Sequence, residues 1–368
     1  MNENETLPLY DRSLRIASMS LFCLGAIFGN LLFIVSYIQL RWLRTARHAY
    51  IINLAIADVL MGSFSMPVTI GSLIRDKWLF TFDGELNVFS CKLAAFLDNT
   101  VIGCSVWFLA LSSFDRFVYI CRPLRYATIM TTIRVRCSAT SVWACALFLS
   151  SMPLMFWGEL KYSEFSYNCG LNFGTGVHRY YFLFYAVTVI LIPVTFTVFN
   201  FTGILIDLNS SSLGDGRKML DSNRGAILTL LVLTLAFVVC SLPLFVTAII
   251  IWFDPTKADN LPPGISIAFH WMLYMNSAVN PLLYGLFNPK LRSHYTSILT
   301  CRDKNKVSWV QSIKKPKKVN KHKKFIIAEP PLPSNGVSSD HGNGTTTTKA
   351  AVRPHQNNKV GVIDVNND

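Results

Sequence analysis

The residues that could do chemistry are a few acids and one base set in apolar sequence. In the stretch CKLAAFLDNTVIGCSVWFLALSSFDRFVYICRPLR, residues 91–125, Asp98 and the pair Asp115-Arg116 are separated by 16 residues without a charge. Read as one helix, the separation from Asp98 to Arg116 is roughly 27 Å, close to the hydrocarbon thickness of a bilayer. An ionisable side chain inside a membrane costs about 2.5–3.5 kcal/mol even on the lenient scale, so such a residue is expected to serve a function. Asp98 can hold a cation; Asp115 can hold or release the adjacent guanidinium. A second acid, Asp58, has polar company in Asn30, Asn276 and Asn280, and Ser105 lies two turns below Asp98 on the same face. A carboxylate among neutral oxygens suits a small hard cation, and Na+ is a natural occupant of Asp58, Ser105, Asn276 and Asn280. The alternative is a hydrated hydrogen-bond network without an ion.

Elements that place such groups must be membrane helices. The chain has 368 residues, 51% apolar and 15% charged, with positive mean hydropathy, too few charges for an ordinary soluble protein. Its apolar residues fall in seven blocks, Arg15–Leu40, Ala49–Ile74, Lys92–Ile120, Cys137–Trp157, Tyr180–Ile206, Ala226–Phe253 and Pro262–Leu286. Each is long enough to span, and seven such runs exceed what the core of a soluble helical protein uses. The expected fold is an all-α membrane protein: a seven-transmembrane helix bundle with a short cytoplasmic amphipathic helix after the seventh span. Residues 1–14 form a short extracellular segment, 15–300 the bundle and juxtamembrane helix, and 301–368 a disordered basic and polar tail.

Orientation follows from the basic residues. Arg41, Arg44 and Arg47 lie in the first connection, Arg122, Arg125, Arg134 and Arg136 in the third, and Arg217, Lys218 and Arg224 in the fifth, whereas the opposite connections mix signs. The N-terminus is therefore expected outside and the tail in the cytoplasm; the plasma membrane is the expected location. From residue 302 onward 13 Lys and Arg face 5 Asp and Glu; that charge suits membrane lipids of the inner leaflet, not nucleic acid. The first block is too long and lacks the small-residue site of a cleaved signal. Asn4-Glu5-Thr6 is a glycosylation acceptor on the outer side. Of nine cysteines, only Cys91 and Cys169 fall at outer ends or outer loops, which marks them as the one disulfide, lying over Asp98. Cys301, just past the amphipathic stretch, is a candidate for palmitoylation. Pro67, Pro153, Pro193, Pro243 and Pro281 lie within spans and permit kinks that open a pocket.

Gly29-Asn30, Asn53-Leu54-Ala55-Ile56-Ala57-Asp58, Asp115-Arg116-Phe117, Trp143, Pro193, Pro243 and Asn280-Pro281-Leu282-Leu283-Tyr284 together resemble the markers of the rhodopsin-like (class A) G protein-coupled receptors. The resemblance covers residues 15–300. Asp98 with Trp271 and Tyr274 is further similar to the receptors for biogenic and trace amines, in which the acid binds an ammonium and the tyrosine holds the acid. That implies a small amine in an outer-half pocket of Asp98, Ile102, Tyr185, Val189, Leu244, Phe245, His270, Trp271 and Tyr274, where a charge-assisted hydrogen bond and aromatic walls favour the cation. It implies a switch of Asp115, Arg116, Asn280, Pro281 and Tyr284, with Pro123 and Leu124 meeting a heterotrimeric G protein. Receptor kinases and arrestin would act on Ser338, Ser339 and Thr345–Thr348. No enzyme and no cofactor is implied beyond the possible Na+.

Departures from the family pattern narrow the reading. Tyr185, Ala186 and Val189 stand where catecholamine receptors carry serines, and Cys240-Ser241-Leu242-Pro243 lacks the usual Trp. Leu244 replaces one of two Phe residues, Phe117 and Phe201 replace tyrosines, and Asn223 stands where a Glu would lock Arg116. Weaker restraint of the inactive state is expected: second-messenger output without ligand exceeds that of cells carrying empty vector. The alternatives are a non-amine ligand, such as a short peptide or lipid, and a constitutively active orphan receptor. A retinal-binding light sensor is excluded because 262–288 contains no lysine for a Schiff base. A transporter or intramembrane enzyme is disfavoured because no internal repeat and no nucleophile-base set is present.

Overall fold

The first helix shows how this sequence becomes a membrane bundle. Leu21, Leu24, Phe28, Leu31, Val35 and Ile38 are exposed, while Met19, Cys23, Ala26, Asn30 and Phe33 are buried. The three- and four-residue spacing puts one stripe of large apolar groups outside, and the inner stripe carries the small Cys23 and Ala26 and the polar Asn30 between Met19 and Phe33. A water-soluble helix would have the reverse pattern. The computed structural model describes residues 9–80, 85–155, 157–163, 166–171, 177–210 and 263–300, with scattered residues from 232 to 254. Five of its helices are long and apolar enough to cross a membrane: Arg12–Gln39, His48–Arg75, Glu85–Cys121, Thr132–Met155 and His178–Asp207. They coincide with the first five expected blocks. Pro263–Phe287 corresponds to the seventh, and the described residues of the sixth, among them Val232, Phe237, Cys240 and Val246, are helical.

Helix Glu85–Cys121 is the central post. Its apolar window is the most buried of the five, and it packs against the second, fourth and fifth helices and both strands of a hairpin. That hairpin, β1 (Leu160–Ser163) and β2 (Asn168–Leu171), is antiparallel with Tyr162 opposite Cys169. The Cys91–Cys169 disulfide, with Cα atoms 5.4 Å apart, fixes β2 to the start of the central helix.

Prolines mark two of three local irregularities. Single π-helical turns at Met61–Ser65 and Val187–Leu191 lie directly before Pro67 and Pro193; a residue without an N–H cannot close the ladder, and the preceding turn widens. Pro153 and Pro281 sit inside unbroken helices. The third π turn, Gly25–Gly29, has no proline of its own but meets one: a Cβ on Gly29 would run into Pro281 Cγ. Only hydrogen fits between the first and seventh-span helices there. Gly29→Ala is expected to destabilise the bundle by about 1–3 kcal/mol through overpacking, read as a lower thermal midpoint of the purified protein. An unchanged midpoint would show that the helices part freely.

The chain turns out of the seventh-span helix at Asn288, whose side chain accepts a hydrogen bond from Leu291 N at 3.3 Å and caps helix Pro289–Leu299. Leu291 and Tyr295, four residues apart, are buried on one face against a cluster containing Phe33 and Leu283. This is the expected amphipathic helix. Cys301 and the tail lie outside the described residues, as do Asn4 and Pro243.

Candidate functional site

Asp98 sits on the inward face of the central helix and is buried. The hairpin reaches it: Asn168 Nδ2 donates to Asp98 Oδ2 at 3.3 Å and to the Tyr274 hydroxyl at 2.8 Å. Asn168 Oδ1 in turn accepts the Cys169 N–H at 2.8 Å. Asp98 and Tyr274 are therefore joined through Asn168; among the described residues they share no direct hydrogen bond. Asp98 Oδ1 is buried and accepts no hydrogen bond among the described residues, although Ser65 lies alongside it. That oxygen is left open to a further donor, which a buried carboxylate favours.

The other expected pocket residues divide. Trp271 packs on the core cluster that includes Tyr274 and Val101, and Ile102 packs between the two main clusters. Tyr185 donates to the Asn99 carbonyl at 2.8 Å, which places its ring beside the helix turn that carries Asp98. With Tyr181 and Val189 it forms a cluster backed by Leu149 and Trp157. Leu244, Phe245 and the side chain of His270 lie outside what is described.

Asn168 is held from a second side. Tyr167, immediately before it, donates its hydroxyl to Asp76 Oδ1 at 2.8 Å. Asp76 also faces Arg12 at 3.8 Å, and Arg12 donates to the Leu73 carbonyl at 2.7 Å. Tyr167 and Asp76 both have positive φ, 53° and 57°, a region that costs an ordinary side chain about 1–3 kcal/mol and persists only where the surroundings impose it. Burial, then the Asp76 carboxylate, push the Tyr167 phenol up to about 12. It therefore remains a donor at physiological pH and loses that bond only as pH rises through the folded value. None of Asn168, Tyr167 or Asp76 stood out in the sequence; the adjacency of Asn168 to a cysteine bonded above Asp98 was the available signal.

Further into the bundle, Asn280 Nδ2 donates to Asp58 Oδ2 at 2.7 Å. Ser105 and Ser277 flank the same carboxylate, so the seventh-span hydroxyl beside Asp58 comes one position after Asn276. Asn276 is buried nearby in sequence. Asp58 Oδ1 and Ser105 Oγ are buried and make no hydrogen bond among the described residues. Asn30 donates to the Ser277 carbonyl at 3.0 Å, tying the first helix to this point, and Trp143 donates to Asn53 Oδ1 at 3.0 Å.

At the other end of the central helix, Arg116 Nε lies 3.8 Å from Asp115 Oδ2 and both are buried. Tyr126 donates to Asp115 Oδ1 at 2.8 Å, a partner not anticipated from sequence. Tyr126 follows the short turn Pro123–Arg125, whose Leu124 is almost fully exposed. Tyr284 and Pro281 are buried in the seventh-span helix, and the Tyr284 ring lies tilted against Phe33 with centroids 5.1 Å apart. Asn223 lies outside the described residues.

These three polar centres lie on one central helix and its neighbours. The model of the 7 transmembrane receptor (rhodopsin family) matches residues 29–284. The chain belongs to that family. It is a class A G protein-coupled receptor: a seven-helix, multi-pass membrane protein, and a receptor rather than an enzyme. Among its relatives, melatonin receptor type 1A of Phodopus sungorus is 27% identical over 295 residues, covering 79% of this chain and 81% of that receptor. Trace amine-associated receptor 1 of Mus musculus is 28% identical over 301 residues, covering 76% and 87%. 5-Hydroxytryptamine receptor 4 of Cavia porcellus is 27% identical over 333 residues, covering 82% and 84%. Family membership gives this receptor a heterotrimeric G protein as partner.

Proposed function

We propose that this receptor binds a small protonated amine at Asp98 and, on doing so, favours the bundle conformation that engages a G protein. The observation that carries the reading is Asp98 Oδ1, a buried carboxylate oxygen with no hydrogen bond among the described residues. An ammonium supplies both charge and donor there, a contact worth about twice a neutral hydrogen bond. Trp271, packed on the cluster that holds Tyr274, would offer the cation the face of its ring. The missing serines at Ala186 and Val189 direct the reading away from catechols. Two of the relatives are named for trace amines and 5-hydroxytryptamine, which are protonated at neutral pH.

A second reading has its own support. Asn168 already meets Asp98 Oδ2, and relatives named for melatonin take a ligand whose amine is acylated and uncharged. A neutral arylalkyl amide is therefore the rival ligand class. Cells expressing the receptor and exposed to biogenic and trace amines, alongside their N-acetyl counterparts, distinguish the two by cAMP and calcium. The amine reading expects responses to the protonated members; responses confined to the N-acetyl members would replace it.

The rest of the mechanism follows from the other centres. An agonist that binds the active conformation more tightly shifts the equilibrium by that difference in affinity. Arg116, released from Asp115, would be exposed to the G protein together with Pro123 and Leu124. Asp58 Oδ1 and Ser105 Oγ suit Na+ as an allosteric ion of the inactive bundle, with Asn280 completing the polar shell. In this reading the N-terminus would lie outside the plasma membrane, Asn4 would carry a glycan, and the basic tail would meet inner-leaflet lipids. Cys301 would carry a palmitoyl chain, and arrestin and receptor kinases would meet the tail.

A further inference from the structure

We propose that Asn168 is a tethered stand-in for the ligand: it holds the two acceptors that select the amine class, and it sets the affinity with which this receptor takes any amine. The inference rests on the amine reading of Asp98. A side-chain amide has two N–H donors on one nitrogen. Here that nitrogen faces two acceptors, Asp98 Oδ2 and the Tyr274 hydroxyl. A primary or secondary ammonium presents the same feature, one nitrogen with two or more N–H groups, and adds a charge. It can take over both acceptors as the amide leaves. A trimethylammonium has no N–H, so displacing Asn168 would leave the Tyr274 hydroxyl and Asp98 Oδ2 without donors, at the cost of unsatisfied buried groups.

Asn168 does not occupy this place by chance packing. Its Oδ1 is committed to the Cys169 N–H, Cys169 is bonded to Cys91, and Tyr167 is anchored to Asp76. The tip is thus pinned on both sides of Asn168, and the left-handed backbone at Tyr167 is imposed by those anchors. The bond to Asp98 is long, 3.3 Å, and neutral; a charged competitor is favoured over it. Binding must nevertheless break it and the 2.8 Å bond to Tyr274. The free receptor is held in a self-satisfied state that lowers apparent affinity for every amine, as any competing occupied state does.

The test compares the intact receptor with Asn168→Ala and Tyr167→Phe, all at matched surface level, using 2-phenylethylamine, tryptamine and their N,N,N-trimethyl derivatives. Asn168→Ala should raise potency of the primary amines about 3- to 30-fold, the effect of removing one or two competing hydrogen bonds, and that of the trimethyl compounds by a similar factor, because both classes must displace the same side chain. Tyr167→Phe leaves Asp98 and Asn168 untouched and only frees the tip; it should raise potency in the same direction by less. A misfolded variant would lose potency, so a gain separates the proposal from damage. A primary-amine response in Asn168→Ala from an intact receptor that is silent would also support it. If amines activate the intact receptor and neither variant gains potency, Asn168 is structural and the proposal falls while the amine reading stands. If no amine acts on the intact receptor or on either variant at the surface, both fall.

Discussion

Replacing Asp98 with asparagine is expected to raise the half-maximal concentration of an activating amine on the order of 100-fold. Breaking a desolvated charge pair costs about 2–5 kcal/mol, and each 1.4 kcal/mol is a factor of ten. The substitution keeps the shape of the side chain and an oxygen for Asn168 to bond. It also removes a buried charge, so surface expression should hold or rise. A potency loss without an expression loss assigns the effect to the ligand contact; parallel losses would assign it to folding. The check is a concentration–response curve with surface labelling of the same cells.

The second large effect is expected at the other end of the helix. Asp115→Asn removes the charge that faces Arg116 at 3.8 Å while leaving an acceptor for the Tyr126 hydroxyl. In the resting bundle the guanidinium then stays buried opposite a neutral group, whereas in the active bundle it is exposed to the G protein and loses less. The inactive state is destabilised relative to the active one by roughly 1–2 kcal/mol, which multiplies the active population about 5- to 30-fold while it is a minority. Ligand-free second-messenger output should rise accordingly per receptor at the surface. Output equal to that of the unsubstituted receptor would mean that Arg116 is restrained by groups other than Asp115.

What the sequence made legible was whatever depends on spacing along one helix or on charge along the chain. Asp98, Ser105 and Arg116 share one helix, so their mutual placement follows from its rise, and five of the expected spans coincide with long apolar helices. The Cys91–Cys169 bond followed from which thiols lie at one end of the bundle. What stayed hidden depends on contacts between elements far apart in sequence. Asn168 meets Asp98 and Tyr274 across separations of 70 and 106 residues, and nothing in the composition of the hairpin signals that its tip turns inward. Tyr126 is a similar case, because its meaning lies in the turn after Cys121 that brings it back to Asp115. Ser277 beside Asp58 is a further case, since which polar residue of the seventh-span helix reaches the carboxylate depends on helix rotation, which a list of polar residues does not resolve.

The most direct test of the central claim is the binding preference of the intact receptor for tryptamine over N-acetyltryptamine, measured by competition in membranes and repeated in Asp98→Asn. The two ligands share the ring and chain and differ chiefly in the charge on nitrogen. A carboxylate that recognises an ammonium predicts a preference of roughly 100-fold for tryptamine that collapses to a few-fold in the variant. Equal affinities in the intact receptor, or a preference for the N-acetyl compound that Asp98→Asn leaves unchanged, would contradict the account and make Asp98 a structural acid held by Asn168.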